Sequence, residues 1–187
     1  MYSANISFLN WPCRPQLPAL TIALPAMSHR ITIERNTLRF AAAHFTTFGG
    51  ECEPLHGHNY AVFVELEGDL TPDSWVFDFV ELKRISTALC GELDHRFLLP
   101  TLNPALQIRE TDREYDFRFH DRRYVMPGAA VAALPIDNST AERLAEWLAG
   151  RLAEELRSRG AGNLRRITVG IEEAPGQAGW YTLSLSL

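Results

Sequence analysis

The sequence predicts an α+β fold, an antiparallel four-stranded sheet with two helices packed on one face and a hairpin segment inserted between the helices. Period-two alternation marks residues 30–45 and 58–68 and returns in 165–173 and 179–187. Between these pairs, residues 78–93 and 139–160 carry apolar side chains at helical spacing. The order strand, strand, helix, helix, strand, strand gathers both helices on one side of a sheet.

The first strand is expected in "RITIERNTLRFAAAHF" (30–45). "HNYAVFVELEG" (58–68) is the second, with Tyr60, Val62, Val64 and Leu66 on one face and Ala61, Phe63, Glu65 and Glu67 on the other, and the two strands are expected to pair. "DFVELKRISTALCGEL" (78–93) aligns Leu82, Ile85 and Leu89 along one helical stripe, and in "STAERLAEWLAGRLAEELRSRG" (139–160) Leu144, Leu148, Leu152 and Leu156 recur four apart. Ser139 followed three residues later by Glu142 has the form of a capping box, and Gly160 that of a helix stop. "RRITVGIEE" and "GWYTLSLSL" are the last two strands, joined across "APGQA". Residues 99–137 are an insertion in which "YDFRFHDRRYVMP" can form an extra hairpin. Within 105–125, five arginines (Arg109, Arg113, Arg118, Arg122, Arg123) alternate with five acidic residues, the pattern of a solvated hairpin rather than a phosphate clamp.

Composition narrows the functions. A chain of 187 residues with 46% apolar residues can bury one full core. A net charge of −5 without a basic patch argues against a nucleic-acid partner, and no run reaches the ~20 apolar residues of a membrane span, so no membrane partner is expected. Cys13, Cys52 and Cys90 are too few and too scattered for a disulfide framework or a four-cysteine zinc site, which suits reduced thiols in the cytoplasm. Residues 1–27 contain the apolar "LPALTIALPAM" but no basic lead-in, and prolines break the run. They read as an N-terminal extension to a single domain, 28–187.

Three of the six histidines fall in "AHFTTFGGECEPLHGHNYAVF" (42–62). His56 and His58 are two apart at the start of a strand, so they share a face, and His44 ends the preceding strand. Pairing of the two strands would bring three imidazoles together. Three neutral imidazoles suit zinc and leave a fourth position open, as in a catalytic site.

The segments "FAAAHF", "CEPLHGHNY", "VFDFVELK", "LDHRFL", "NSTAERLA" and "VGIEEAPGQAGWY" occur in an order and character that resemble the 6-pyruvoyl-tetrahydropterin synthase / 6-carboxy-5,6,7,8-tetrahydropterin synthase family. The resemblance covers most of 38–185 apart from the insertion. It implies the tunnelling fold (T-fold), a homo-oligomer built on trimers and usually a hexamer, and active sites between subunits. By position it makes His44, His56 and His58 the ligands of Zn2+, Cys52 the catalytic thiol and Asp94 with His95 a proton relay. It makes Glu172 the anchor of a small-molecule pterin substrate, with Thr140 beside it in substrate binding. The C-x-x-x-H-G-H spacing resembles the 6-carboxy-tetrahydropterin synthases of queuosine (7-deazaguanine) biosynthesis, whose substrate would be 7,8-dihydroneopterin triphosphate.

Alternatives within the resemblance are a 6-pyruvoyl-tetrahydropterin synthase, a dihydroneopterin aldolase-like lyase, and a zinc-binding oligomer without catalysis. Two candidate bases lie side by side, Glu51 and Cys52. Cys52 is preferred on its spacing and because a thiol is readily tuned toward neutrality. Glu173 stands where the family commonly has threonine, and Ser139 where it commonly has proline.

Overall fold

The computed structural model describes residues 28–34 and 38–185. The N-terminal extension and Cys13 lie outside them. Among the described residues, twelve strands and two α-helices run in the order β1 (His29–Ile33), β2 (Arg39–His44), β3 (Thr47–Phe48), β4 (Glu51–Cys52), β5 (His56–Gly68), α1 (Phe79–Gly91), β6 (Arg96–Pro100), β7 (Gln107–Glu110), β8 (Glu114–Phe119), β9 (Arg122–Pro127), β10 (Val131–Leu134), α2 (Ala141–Ser158), β11 (Leu164–Ala174) and β12 (Gln177–Ser184).

β5 organises the molecule. Its even-numbered residues from Tyr60 to Leu66 are buried, as the alternation requires. Along one edge it pairs antiparallel with β11; on the other it pairs antiparallel with β2 at its start and with β1 at its end. The segment read as one strand over 30–45 is thus two: β2 resumes at Arg39 opposite Ala61, whereas β1 ends at Ile33 opposite Val64. Six steps along one chain match three along the other, so the chain must leave the ladder between them.

The main sheet has seven strands in the order β10-β6-β2-β5-β11-β12, with β1 also on β5, and it is mixed. β6 is parallel to both β2 and β10. The expected four-stranded antiparallel sheet therefore grows by β6 and β10 from the inserted region and its flank. Neither alternates in polarity, because both faces are covered: Leu98 joins the cluster under the helices, while Phe97 and Leu99 join a second cluster under the insertion.

Both helices supply the first cluster. Leu82, Ile85 and Leu89 of α1 and Leu144, Leu148, Leu152 and Leu156 of α2 are all at most 3% exposed, packed with Tyr60, Val62, Val64 and Leu66. Each such leucine contributes about 1.5–3 kcal/mol of burial. The cap of α2 is Thr140, whose hydroxyl accepts the Arg143 N–H, rather than Ser139. Ser139 is fully buried and donates instead to the Phe45 carbonyl at 2.7 Å, so the capping-box reading slips by one residue. Gly160 sits just past the helix end at φ 73°, as a helix stop should.

The expected hairpin, β8 with β9, is extended by β7 to a separate three-stranded sheet. Its Phe117 and Phe119 pack on Phe45, Phe97 and Leu99. Helices thus cover one face of the main sheet, and the insertion covers part of the other.

Candidate active site

Pairing of β2 with β5 sets His44 directly opposite His56. Strand alternation then puts His44, His56, His58 and Tyr60 on the helix face, with ring centroids 4.6 Å apart for His44–His56, 5.1 Å for His44–His58 and 4.9 Å for His56–His58. One ring nitrogen from each lies within 4.8 Å of the others.

Backbone groups orient the rings. His44 Nδ1 lies 2.9 Å from the Ser139 carbonyl and His56 Nδ1 2.9 Å from the Pro54 carbonyl. A carbonyl only accepts, so each Nδ1 carries the proton and each Nε2 presents a lone pair. The His58 ring bonds to the backbone of Glu173. His44 Nε2 is buried and without a hydrogen-bond partner, an arrangement that a metal ion would satisfy. Burial lowers the His44 pKa to about 4, with the neighbouring His56 and His58 adding to the effect, so the ring is neutral at pH 7. These residues fit a zinc-type ion: three converging imidazoles, two of them held in the right tautomer, facing open space.

That space is a cavity of about 550 Å3 lined by the three histidines together with Thr46, Glu53, Thr140, Glu142 and Glu173, and by the start of β12. Thr140, read from the sequence as substrate-binding, is in the wall at the N-terminus of α2. Glu53 takes hydrogen bonds from Thr46, which hold its carboxyl below the usual range; His56 and His44 add to that, so it is ionised at neutral pH. Glu173 is pushed the other way, first by burial and then by Glu142. Its Oε1 is buried with no partner.

Four expected residues lie elsewhere. Glu172 points to the opposite side of β11 from Glu173, and its carboxylate accepts the Gly176 N–H at 2.9 Å in the turn to β12. The β11 glutamate of the cavity is therefore Glu173, in phase with buried Ile171; counting alternation forward from Val169 and Ile171 would have found it. Cys52 is 5% exposed, its thiol donates to the Glu53 carbonyl, and it packs among Phe45, Phe97 and Phe117. Burial raises its pKa, the reverse of what an activated thiol needs. Glu51 is exposed. The side chain of this segment that reaches the histidines is Glu53, one residue beyond the pair weighed from the sequence.

Asp94 and His95 do form a pair, Oδ2 to Nδ1 2.8 Å. They grip the backbone of Ala41, whose N–H donates to Asp94 and whose carbonyl accepts the His95 N–H. His95 lines a second depression with Ala41, Ala43, Gly57 and Asn59, and His58 borders both this depression and the cavity. By alternation Ala41, Ala43, Gly57 and Asn59 lie on the face of β2 and β5 away from the histidine rings.

Comparison with known proteins gives the family. Residues 32–183 match the family model described as 6-pyruvoyl tetrahydropterin synthase. A Methanocaldococcus jannaschii protein, provisionally named 6-carboxy-5,6,7,8-tetrahydropterin synthase, is 36% identical over 145 residues, covering 77% of this chain and 89% of its own. A Pyrococcus furiosus dihydroneopterin monophosphate aldolase is 41% identical over 59 residues, 32% of this chain and 50% of its own. The crystal structure of Plasmodium vivax 6-pyruvoyl tetrahydropterin synthase superposes with a TM-score of 0.78 at 30% identity, over 85% of this chain and 99% of that one. A related structure of that enzyme carries alanine in place of a glutamate described as a catalytic residue. Two helices on a curled mixed sheet, three clustered histidines and a match across most of the chain together show that the protein belongs to the 6-pyruvoyl tetrahydropterin synthase family of pterin-processing enzymes.

Proposed function

We propose that the protein is a zinc-dependent enzyme of the 6-carboxy-5,6,7,8-tetrahydropterin synthase type, acting on 7,8-dihydroneopterin triphosphate in 7-deazaguanine synthesis. The observation that carries the reading is one cavity holding three clustered histidines, an ionised glutamate and a second glutamate with an unsatisfied buried oxygen. His44, His56 and His58 would hold the ion. When bound, it would polarise the hydroxyl oxygens of the substrate side chain and make the neighbouring C–H acidic. Glu53, already ionised, accepts that proton. Glu173 accepts hydrogen bonds from ring N–H and amino groups of the pterin, which supplies the donors its buried Oε1 lacks. Thr140 keeps a hydroxyl proton to donate, since its oxygen accepts at the cap while its hydrogen is uncommitted there.

The position of Asp94 and His95 away from this cavity favours an oligomer in which a second copy brings its own pair to the site. We assign a trimer-based homo-oligomer, with a hexamer expected by light scattering.

A second reading, aldolase-like cleavage of a dihydroneopterin, is favoured by the relative that bears an aldolase name, and Glu53 could serve as base in either reaction. Mass spectrometry of products from dihydroneopterin triphosphate separates the two. A 6-carboxypterin product supports the synthase; a 6-hydroxymethylpterin product transfers the assignment to the lyase; no turnover with zinc present removes both.

A further inference from the structure

The loop that carries Glu53 is poorly supported by its own structure. β3 and β4 form a two-pair hairpin, Thr47 with Cys52 and Phe48 with Glu51. The turn is Gly49–Gly50, with φ 58° and 83°, which suits a two-residue primed turn open to glycine. A hairpin this short is not stable alone. Phe48 is 59% exposed, so it adds little packing.

Beside the hairpin, the Glu53 N–H donates to the Thr46 carbonyl at 3.0 Å and the Thr46 N–H to the Glu53 carboxylate; the remaining support comes from outside. Asn138 accepts the Thr47 N–H and donates to the Thr47 carbonyl, and Asn103, 5% exposed, donates to the Thr47 hydroxyl at 2.8 Å. On the opposite strand the support is Arg122, the first residue of β9. Its Nη2 donates to the Cys52 carbonyl at 2.8 Å and its Nη1 to the Glu53 carbonyl at 3.2 Å. The planar fork of a guanidinium suits two successive carbonyls, and the group also lies 5.8 Å above the buried Phe119 ring. Among its neighbours in the insertion, Arg123 is instead committed to Asp116.

We propose that Arg122 is a positioning residue for Glu53. The inserted sheet, anchored through Phe117 and Phe119, extends one arginine that fixes the two peptides from which the Glu53 carboxylate projects toward the histidines. Lysine keeps the charge and one hydrogen bond but cannot grip both carbonyls. The proposal rests on Glu53 as the base, and the test separates the two.

In the full zinc-loaded chain, Arg122→Ala lowers kcat by about 10–100-fold, the scale of an ångström-level misplacement, with KM and zinc content nearly unchanged. Amide hydrogen exchange in residues 46–53 accelerates. Arg122→Lys recovers part of both, and Arg123→Ala, which touches only the insertion's own ion pair, leaves both as in the wild type. Combined with Glu53→Gln, Arg122→Ala costs no further rate, because the two act in series. A full-rate Glu53→Gln variant overturns the base assignment and the role of Arg122 with it. An inactive Glu53→Gln beside an Arg122→Ala variant with unchanged exchange and kcat overturns the positioning role alone. An equal loss in Arg123→Ala also overturns it, since the insertion then acts by overall integrity.

Discussion

Gly179 is where the helix layer and the cavity meet, and replacing it with alanine tests both. A Cβ there would lie 2.5 Å from the Glu142 nitrogen, 2.7 Å from the Ala141 carbonyl carbon and 2.8 Å from the Ala141 Cβ. Comfortable contacts are about 3.5–4.0 Å, so α2 and β12 must separate by roughly 1 Å. The opposing atoms are mainly backbone of the capped first turn, which cannot rotate away. Overpacking of this kind costs about 1–3 kcal/mol. For a domain of this size that is a fall in melting temperature of roughly 2–12 °C. Thr140 and Glu142 ride on the displaced turn, so the cavity wall moves and turnover falls too. The control is Gly150→Ala in the same helix, where an added Cβ meets nothing within 4 Å. Relief of glycine's backbone entropy should stabilise it by about 0.5–1 kcal/mol. Thermal melting of the three proteins decides the matter. If Gly179→Ala melts with the wild type while Gly150→Ala rises, α2 does not sit this closely on β12 and the described cavity wall is wrong.

Metal analysis should find about one zinc per chain in the wild type and almost none in His56→Ala, because the two remaining imidazoles hold a tetrahedral ion poorly. Cys52→Ala should retain most of the turnover that Glu53→Gln loses, the latter by ~10²–10⁴-fold; the opposite order would restore the thiol as base. Burial pushes the Cys90 thiol up to about 12, so alkylation at pH 8 should spare it until denaturant is added, as read by peptide mass. Asp94 is held below the ordinary carboxylate pKa, first by the Ala41 N–H and then by His95. Its contribution is therefore complete above the unfolded value and is lost as pH falls through the folded one, and Asp94→Asn should flatten the acid limb of the urea-stability profile. Leu148→Ala, emptying a site 2% exposed, should cost about 2–5 kcal/mol in urea denaturation.

Local pattern determined much of this protein. The 3.6-residue spacing of Leu144, Leu148, Leu152 and Leu156 required a helix with one buried face, and the alternation from Tyr60 to Leu66 required a strand with one. Because period two repeats strictly, the same phase extended back through His58 and His56, so the histidine cluster was legible as soon as β2 paired with β5. Elements buried on both sides escaped, since β6 and β10 face two apolar clusters and show no contrast between faces. Choices between adjacent residues escaped too. Ser139 and Thr140 are both good caps, and only the Phe45 carbonyl decides which hydroxyl is free for the helix. Glu51, Cys52 and Glu53, or Glu172 and Glu173, have nearly the same local chemistry. Their directions are set by tertiary bonds: Arg122 on the Cys52 and Glu53 carbonyls, Thr46 across the hairpin on the Glu53 carboxylate, and the phase of β11 against β5. Arg122 and the β5 register come from distant parts of the chain, Thr46 lies across the hairpin, and a one-residue step in a strand reverses the face. Which carboxylate meets the three histidines is therefore a property of the tertiary structure.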